Sequence, residues 1–187
     1  KNVDLKNNRK NTWGTGLIFN HEIDSIQNVT VAAGFTRQIS ENANKTAYYS
    51  NAYALGLAYN FVHTTYGLDL AHKDTKNKGG AGNKVKNNEV TAVIRQGLNE
   101  DWNVYAMYSY KTEKTLPVGS AYSKSTDRQF LVGTEYYVFK QGSVKVKPFI
   151  EWQATRTKYE NTFDKDSGKQ LDRSRDFKTV IGLRAYW

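Results

Sequence analysis

The chain has 187 residues, of which 39% are hydrophobic, and its 27 Lys and Arg against 18 Asp and Glu give a formal net charge of +9. This length fits a single domain over residues 1–187 and excludes two large domains. No apolar run reaches the roughly 18 residues that a membrane-spanning helix requires, and the sequence does not start with the apolar stretch of a signal peptide. Cysteine is absent, which excludes disulfides and thiolate metal sites.

Apolar and polar residues alternate along nine segments, which is the pattern of β-strands with two different faces. In the clearest segment, Asn51–Val62, residues such as Tyr53, Leu57 and Phe61 share one face and Gly56 lies on the other. The composition, with 2 Pro, 13 Tyr and 14 Gly, also favours strands. The nine predicted strands are Trp13–Glu22, Asn28–Arg37, Asn51–Val62, Thr65–Lys73, Glu89–Leu98, Trp102–Lys111, Arg128–Phe139, Val144–Thr157 and Phe177–Trp187.

Short and long connections alternate between these strands. The short ones are Ile23–Gln27, Val62–Thr64, Asn99–Asp101 and Lys140–Ser143. The long ones, rich in Lys, Asn, Ser and Gly, are Gln38–Ser50, Asp74–Asn88, Thr112–Asp127 and Lys158–Asp176. This alternation is typical of bacterial outer-membrane barrels, in which tight turns face the periplasm and longer loops face outward.

Single-chain bacterial barrels have even numbers of strands, so we add a weaker first strand around Asn2–Asn7. The sequence therefore predicts an all-β, transmembrane, antiparallel up-and-down β-barrel of about ten strands, located in the bacterial outer membrane. A soluble antiparallel sandwich is the alternative, since its strands also alternate. The barrel is favoured because Tyr and Trp buried in a sandwich would each need a polar partner, whereas at strand ends they fit the aromatic girdles of a membrane barrel.

The last eleven residues, FKTVIGLRAYW, resemble the terminal strand of Gram-negative outer-membrane proteins. The shared pattern is a final aromatic residue, here Trp187, preceded at every second position by apolar residues, here Ala185, Leu183 and Ile181. This resemblance implies an outer-membrane location and says nothing about function.

The C-terminal part of the chain also resembles the monomeric porins specific for oligogalacturonate and sialic acid. The matching segments are Lys147–Glu151 and the charged patch Asp172–Arg175 before the closing strand. The resemblance implies a channel for acidic sugars with basic side chains in its lumen. That family has more strands and lines its lumen with arginine, whereas this chain relies more on lysine.

Strand parity assigns charged residues to the inner face independently of any family. They are Lys73, Arg95, Lys111, Lys145, Lys147, Lys178 and Arg184 against Glu22, Asp69, Glu135 and Glu151. Seven basic and four acidic residues predict a lumen charge of +3. Charges on the lipid face would cost about 2–4 kcal/mol each near the membrane midplane, so their common inward parity supports the barrel.

Two interpretations of this lumen stay open. In the first, the small residues along Gly14–Ala71 leave a slit beside a basic wall along Arg95–Arg184, and small anions pass through it. In the second, the long side chains pair with the acids and plug a narrow barrel, because about eight strands leave room only for side chains.

The sequence thus predicts a monomeric porin that prefers small anionic solutes, with acidic sugars as a candidate class. Its predicted pore-lining and substrate-binding residues are Arg95, Lys111, Glu135, Lys145, Lys147, Glu151, Lys178 and Arg184. The alternative is a closed-lumen surface adhesin or structural barrel, which binds anionic glycans or lipopolysaccharide phosphate through the basic loop between Lys73 and Glu89. The net positive charge suits such anionic partners, among them outer-membrane lipid and lipopolysaccharide.

Catalysis, cofactors, metals and nucleic acid are not expected. His21, His63 and His72 lie near strand ends or turns without the carboxylate or serine partners that a hydrolase needs. Asp164–Gly168 resembles a fragment of a calcium loop but lacks the further oxygen ligands of that pattern. The lysine-rich loop has no aromatic residues among its lysines, as a nucleic-acid platform would require.

Overall fold

The computed structural model describes residues 8–41, 47–77, 84–117, 121–163 and 167–187. These residues form ten β-strands, and within them no helix has the length and apolar character needed to cross a membrane. The strands are β1 Asn8–Asp24, β2 Gln27–Glu41, β3 Ala47–Phe61, β4 Thr64–Asn77, β5 Lys84–Gly97, β6 Trp102–Leu116, β7 Ser123–Tyr136, β8 Phe139–Gln141, β9 Val144–Glu160 and β10 Arg173–Tyr186.

All ten strands belong to one antiparallel sheet. The long strands follow one another in the order β1 to β7, β9 and β10, and the short β8 pairs only with β9. In the described part of the chain, β1 and β10 are the two edges of the sheet and do not pair with each other. Both edge strands run from the end of the sheet with long connections, called the loop end, to the end with short connections, called the turn end.

The turn end is fixed by short polar contacts. The Asp24 carboxylate accepts a hydrogen bond from the Ile26 backbone N–H at 2.9 Å, and the Asn99 side-chain oxygen accepts two, from the N–H groups of Asp101 and Trp102. Asp and Asn favour such turns because their short side chains reach the backbone two or three residues later. The predicted short connections therefore lie where the sequence indicated.

The structure confirms the predicted all-β, antiparallel up-and-down architecture, and its nine long strands overlap the nine predicted segments. The strands reach further toward the loop end than predicted: β5 begins at Lys84, and β6 ends at Leu116. In these extensions the outer face becomes polar, so the hydrophobic alternation ends although backbone pairing continues.

One of the described strands, β8, is not among those that the sequence predicted. The predicted continuous strand Arg128–Phe139 is wrong beyond Tyr136, since β8 instead folds back on the start of β9. The turn between β8 and β9 contains Gly142 at a φ of +58°, a conformation that glycine adopts without a steric penalty. The predicted strand Asn2–Asn7 lies outside the described residues.

The outer face of the sheet is apolar and uncovered. Among the described residues no hydrophobic side chain is buried, and Leu17 and Ile181 are 78% and 77% exposed. A soluble sandwich of this length would bury a core between two sheets, so that alternative is wrong. The inward–outward alternation predicted from the sequence is retained in the pairing registers of the nine long strands.

Aromatic side chains border this apolar face. Toward the loop end, Trp13, Phe35 and Tyr53 form a continuous row with ring-centre distances of 5.1 and 5.0 Å. Toward the turn end, the Tyr59 hydroxyl donates a 2.6 Å hydrogen bond to Gln27, and the Tyr59 ring stacks on Tyr66. Rings with one polar contact and one apolar side suit the boundary between hydrocarbon and water.

Candidate functional site

Charged side chains meet on the inner face near the turn end of strands β5 to β10. The registers bring them together, because Arg95 pairs with Tyr105, Glu135 pairs with Phe149, and Lys147 pairs with Arg184. Directly paired residues lie on the same face of a sheet. We call the resulting group the inner charged cluster; it consists of Arg95, Tyr105, Glu135, Lys147, Glu151 and Arg184.

Glu135 is the centre of this cluster. Its Oε1 atom accepts hydrogen bonds from Arg95 Nη2 and Lys147 Nζ, both at 2.7 Å, and its Oε2 atom accepts one from Arg184 Nη1 at 2.7 Å. Three cations thus converge on one carboxylate that is only 3% exposed. Such charge-assisted hydrogen bonds are shorter and stronger than neutral ones.

Arg184 joins the two acids of the cluster. Its second terminal nitrogen donates to Glu151 Oε1 at 2.7 Å, and that same oxygen accepts a 2.6 Å hydrogen bond from the Tyr105 hydroxyl. The guanidinium carbon also lies 4.2 Å from the centre of the Phe149 ring, within the range of a cation–π interaction. Both terminal nitrogens and one face of the Arg184 guanidinium therefore have a partner.

Lys147 is the most enclosed cation of the cluster. It is 5% exposed, and its ammonium lies 5.1 and 5.3 Å from the ring centres of Tyr137 and Tyr186. Leaving one member of a buried ion pair without its partner costs about 3–5 kcal/mol. Glu135 and Lys147 therefore depend on each other, and the cluster acts as one unit.

Two glycines allow the cluster to form. A Cβ atom on Gly133 would lie 2.6 Å from the Tyr105 ring, and a Cβ atom on Gly182 would lie 2.5 Å from the Phe149 ring. Each glycine is the register partner of the ring that covers it. Without side chains at these positions, both rings lie flat on the sheet, where Tyr105 contacts Glu151 and Phe149 contacts Arg184.

The structure separates the predicted pore-lining residues into two groups. Arg95, Glu135, Lys147, Glu151 and Arg184 belong to the inner charged cluster. The remaining three, Lys111, Lys145 and Lys178, are exposed and make no ion pair with any described residue. Lys111 instead borders a polar cavity of about 310 Å³ on the loop-end half of the inner wall, together with Glu89 and Asp127.

The predicted lumen charge of +3 is wrong. The structure adds four acids to the inner face: Glu89, which begins a predicted strand but was not counted, and Glu113, Asp127 and Asp176, which lie where the strands extend beyond their predicted bounds. With them, the described inner face has seven basic and eight acidic side chains, a net charge of −1. When the register row that contains Asp69 and Asp176 is counted with the loop end, the charged side chains on the turn-end side of it sum to +2 and those of the row and the loop-end side sum to −3.

The aromatic members of the site were not predicted from the sequence pattern. Tyr105, Tyr137 and Phe149 were not among the predicted lining residues, because their contacts depend on which residue each strand places opposite them. The alternation of an inward ring with an inward glycine on the neighbouring strand is the signal that the register makes visible. The described residues contain no group of three or more His, Asp or Glu placed to hold a metal ion, and the fragment Asp164–Asp166 lies outside them.

The fold and its charged inner face define an antiparallel up-and-down sheet of the outer-membrane β-barrel type. No family model and no curated protein matches the sequence. Among solved structures, the chain is similar to OmpT, an outer membrane protein of Vibrio cholerae folded in vitro and in its trimer form, with a TM-score of 0.58 and 13% identity over 94% of this chain. The chain spans 56% of the length of that protein, and the likeness concerns the fold.

Proposed function

We propose that this chain forms the wall of a channel for small solutes in the bacterial outer membrane. The observation that supports this most strongly is the division of one sheet into an uncovered apolar outer face and a charged inner face, with no buried apolar core among the described residues. A sheet of this kind is stable when lipid covers the outer face and water or solute meets the inner face. The proposed role is passive transport and includes no catalytic step.

Anion preference is part of the proposal and arises at the turn end. There Arg95, Lys147 and Arg184 exceed the acids of the inner charged cluster by one charge, and Lys145 and Lys178 are exposed nearby. A basic lining at this level, which we call the constriction in the proposed pore, favours anions, since rings of Arg and Lys select for them in other pores. Acidic sugars are the proposed solute class, in agreement with the resemblance to oligogalacturonate and sialic-acid porins.

The test is single-channel conductance of the refolded protein in a planar bilayer under a salt gradient. We expect discrete openings with a reversal potential that favours anions. Arg184→Glu replaces a cation in the constriction by an anion and should move the reversal potential toward cations. Lys114→Glu is the matched control, because Lys114 lies on the outer face, 4.2 Å above the Tyr122 ring, and its reversal should leave the selectivity unchanged.

A closed-lumen barrel is the second candidate, and the saturation of Glu135 by three cations favours it. A cluster whose charges neutralise one another can fill a narrow lumen. In that case the protein would be folded, as judged by its heat-modifiable migration on gels, and the bilayer would stay without openings. That result would contradict the channel and direct attention to the external surface.

A further inference from the structure

Three arginines form a straight row on the outer face near the loop end. Arg128 of β7 pairs with Arg156 of β9, and Arg156 pairs in turn with Arg175 of β10. All three side chains are exposed. They have the parity of Phe130, Trp152 and Phe177 and thus point away from the inner charged cluster.

A second basic row lies two residues further toward the loop end. Lys158 pairs with Arg173 on one side and with Thr126 on the other. The outer basic cluster comprises both rows, with Arg128, Arg156, Lys158, Arg173 and Arg175. Of the acids in the described part of the chain, Glu160 and Asp172 approach it, at 3.7 Å from Lys158 and 3.9 Å from Arg173.

The arginine row lacks internal compensation. Among the described residues, Arg128, Arg156 and Arg175 have no carboxylate partner within 4.0 Å, and Arg128 lies 6.0 Å from the centre of the Tyr110 ring, at the limit of a cation–π contact. Like charges directly opposite each other across strands are unfavourable. A row of three guanidinium groups therefore has a strong tendency to bind an anion, and guanidinium is the side chain best suited to phosphate oxygens.

An apolar surface adjoins the arginine row on the side that faces the turn end. Phe130, Ala154 and Phe177 occupy the next outward row and line a cavity of about 290 Å³ that Arg128, Arg156 and Arg175 also border. On the other side, the same arginines border a polar cleft of about 440 Å³. One site thus has cations on its loop-end side and apolar side chains on its turn-end side.

We propose that the outer basic cluster binds the phosphate groups of a lipopolysaccharide, with its acyl chains against Phe130, Ala154 and Phe177. A free phosphate would use the arginines but not the apolar row. The loop end of bacterial barrels faces the outside of the cell. The outer basic cluster therefore lies at the level of the outer leaflet, which contains lipopolysaccharide. The inference rests on the membrane placement in the proposed function but does not require an open lumen. A protein that forms no conducting channel would therefore still be expected to bind lipopolysaccharide at this site.

The apparent affinity of the refolded protein in neutral detergent micelles for lipid A, followed by native mass spectrometry, tests this site. The wild-type protein should prefer phosphorylated lipid A to its dephosphorylated form and to phosphatidylglycerol. The double variant R156A/R175A should bind lipid A more weakly by roughly tenfold or more, since it loses two charge-assisted contacts. Salt should weaken the binding of the wild type.

The matched control is K86A/K114A, which removes another pair of outward, directly paired cations at the loop end. It should bind lipid A within about twofold of the wild type, because the lost charges lie outside the cluster. Equal affinity of the wild type for dephosphorylated lipid A, or for phosphatidylglycerol, would overturn the proposal without any variant. Displacement of lipid A by millimolar inorganic phosphate would do the same and would indicate a site for free anions.

Discussion

Gly133 and Gly182 determine where two aromatic rings lie on the inner wall. At the residue scale, each glycine matters through the atom that it lacks, since a Cβ there would overlap the ring of its register partner. The Tyr105 ring is not free to move aside, because its hydroxyl is bonded to Glu151 at 2.6 Å. The fit of the inner charged cluster therefore depends on a position that has no charge itself.

We expect Gly133→Ala to lower the free energy of unfolding by about 1–2 kcal/mol, because Tyr105 must leave its hydrogen bond with Glu151. The control is Gly34→Ala, since a Cβ on Gly34 has its nearest neighbour at 4.0 Å. That variant should stay within about 0.5 kcal/mol of the wild type. Urea unfolding in phosphatidylcholine vesicles, followed by tryptophan fluorescence, measures both; equal losses in the two variants would contradict this account of Gly133.

Residue parity also decides which charges the inner site receives. The sequence pattern placed Glu135, Glu151 and Arg184 on the inner face, and the structure brings Arg184 within hydrogen-bond distance of both acids. Glu89 and Asp127, which lie on the same face, were not among the inner charges that the pattern predicted. Glu89 is the first residue of its predicted strand and Asp127 lies just before the predicted start of its own, so both stand at the edge of the hydrophobic pattern that gives the orientation of the chain.

At the scale of elements, the β4–β5 hairpin has a polar cluster on its outer face near the loop end. His72 lies 3.3 Å from Asp74, and Lys84 lies 3.7 Å from the other oxygen of Asp74. Burial alone would raise the pKa of Asp74, but the hydrogen bond with His72 and the charges of Lys84 and Lys86 lower it below its usual value of 3.8. The folded hairpin thus favours the ionised carboxylate.

A carboxyl group whose pKa is lower in the folded state contributes stability above its unfolded pKa of about 3.9 and loses it as the pH falls through the folded value. Between pH 6 and pH 3, the wild type should therefore lose more unfolding free energy than Asp74→Asn, by up to about 1 kcal/mol. Asp172→Asn is the control, since Asp172 is 83% exposed. Urea titrations at the two pH values give the comparison, and an identical pH response of Asp74→Asn and the wild type would sink this assignment.

At the scale of the whole molecule, the positive charge of the described strands lies mainly on the outer face. The inner face of the described residues is close to neutral, whereas Arg128, Arg156, Lys158 and Arg175 lie outward at the loop end. Between these cations and the turn end runs the uncovered apolar face. This order of charged, apolar and aromatic regions matches the order of charged headgroups, hydrocarbon core and interface across a bilayer.

The same order predicts the depth of each tryptophan. Trp152 lies outward between Ile150 and Ala154, whereas Trp102 is the first residue of β6 at the turn end. With the other three tryptophans changed to Phe, a protein that retains Trp152 should be quenched most by lipids brominated deep in the acyl chain. A protein that retains Trp102 should be quenched most by shallow labels, because its ring lies at the interface. The reverse order would exclude the proposed embedding.

The sequence by itself determined the nine long strands and the face on which the side chains of their apolar parts lie. It could do so because a strand repeats every two residues, so that lipid-facing positions leave a period in the hydrophobicity. Only the tertiary structure decided which residues meet across strands: Tyr105 over Gly133, Glu135 among three cations, and Arg128, Arg156 and Arg175 in one row. These contacts follow from register, and register is a relation between distant segments that no local period contains.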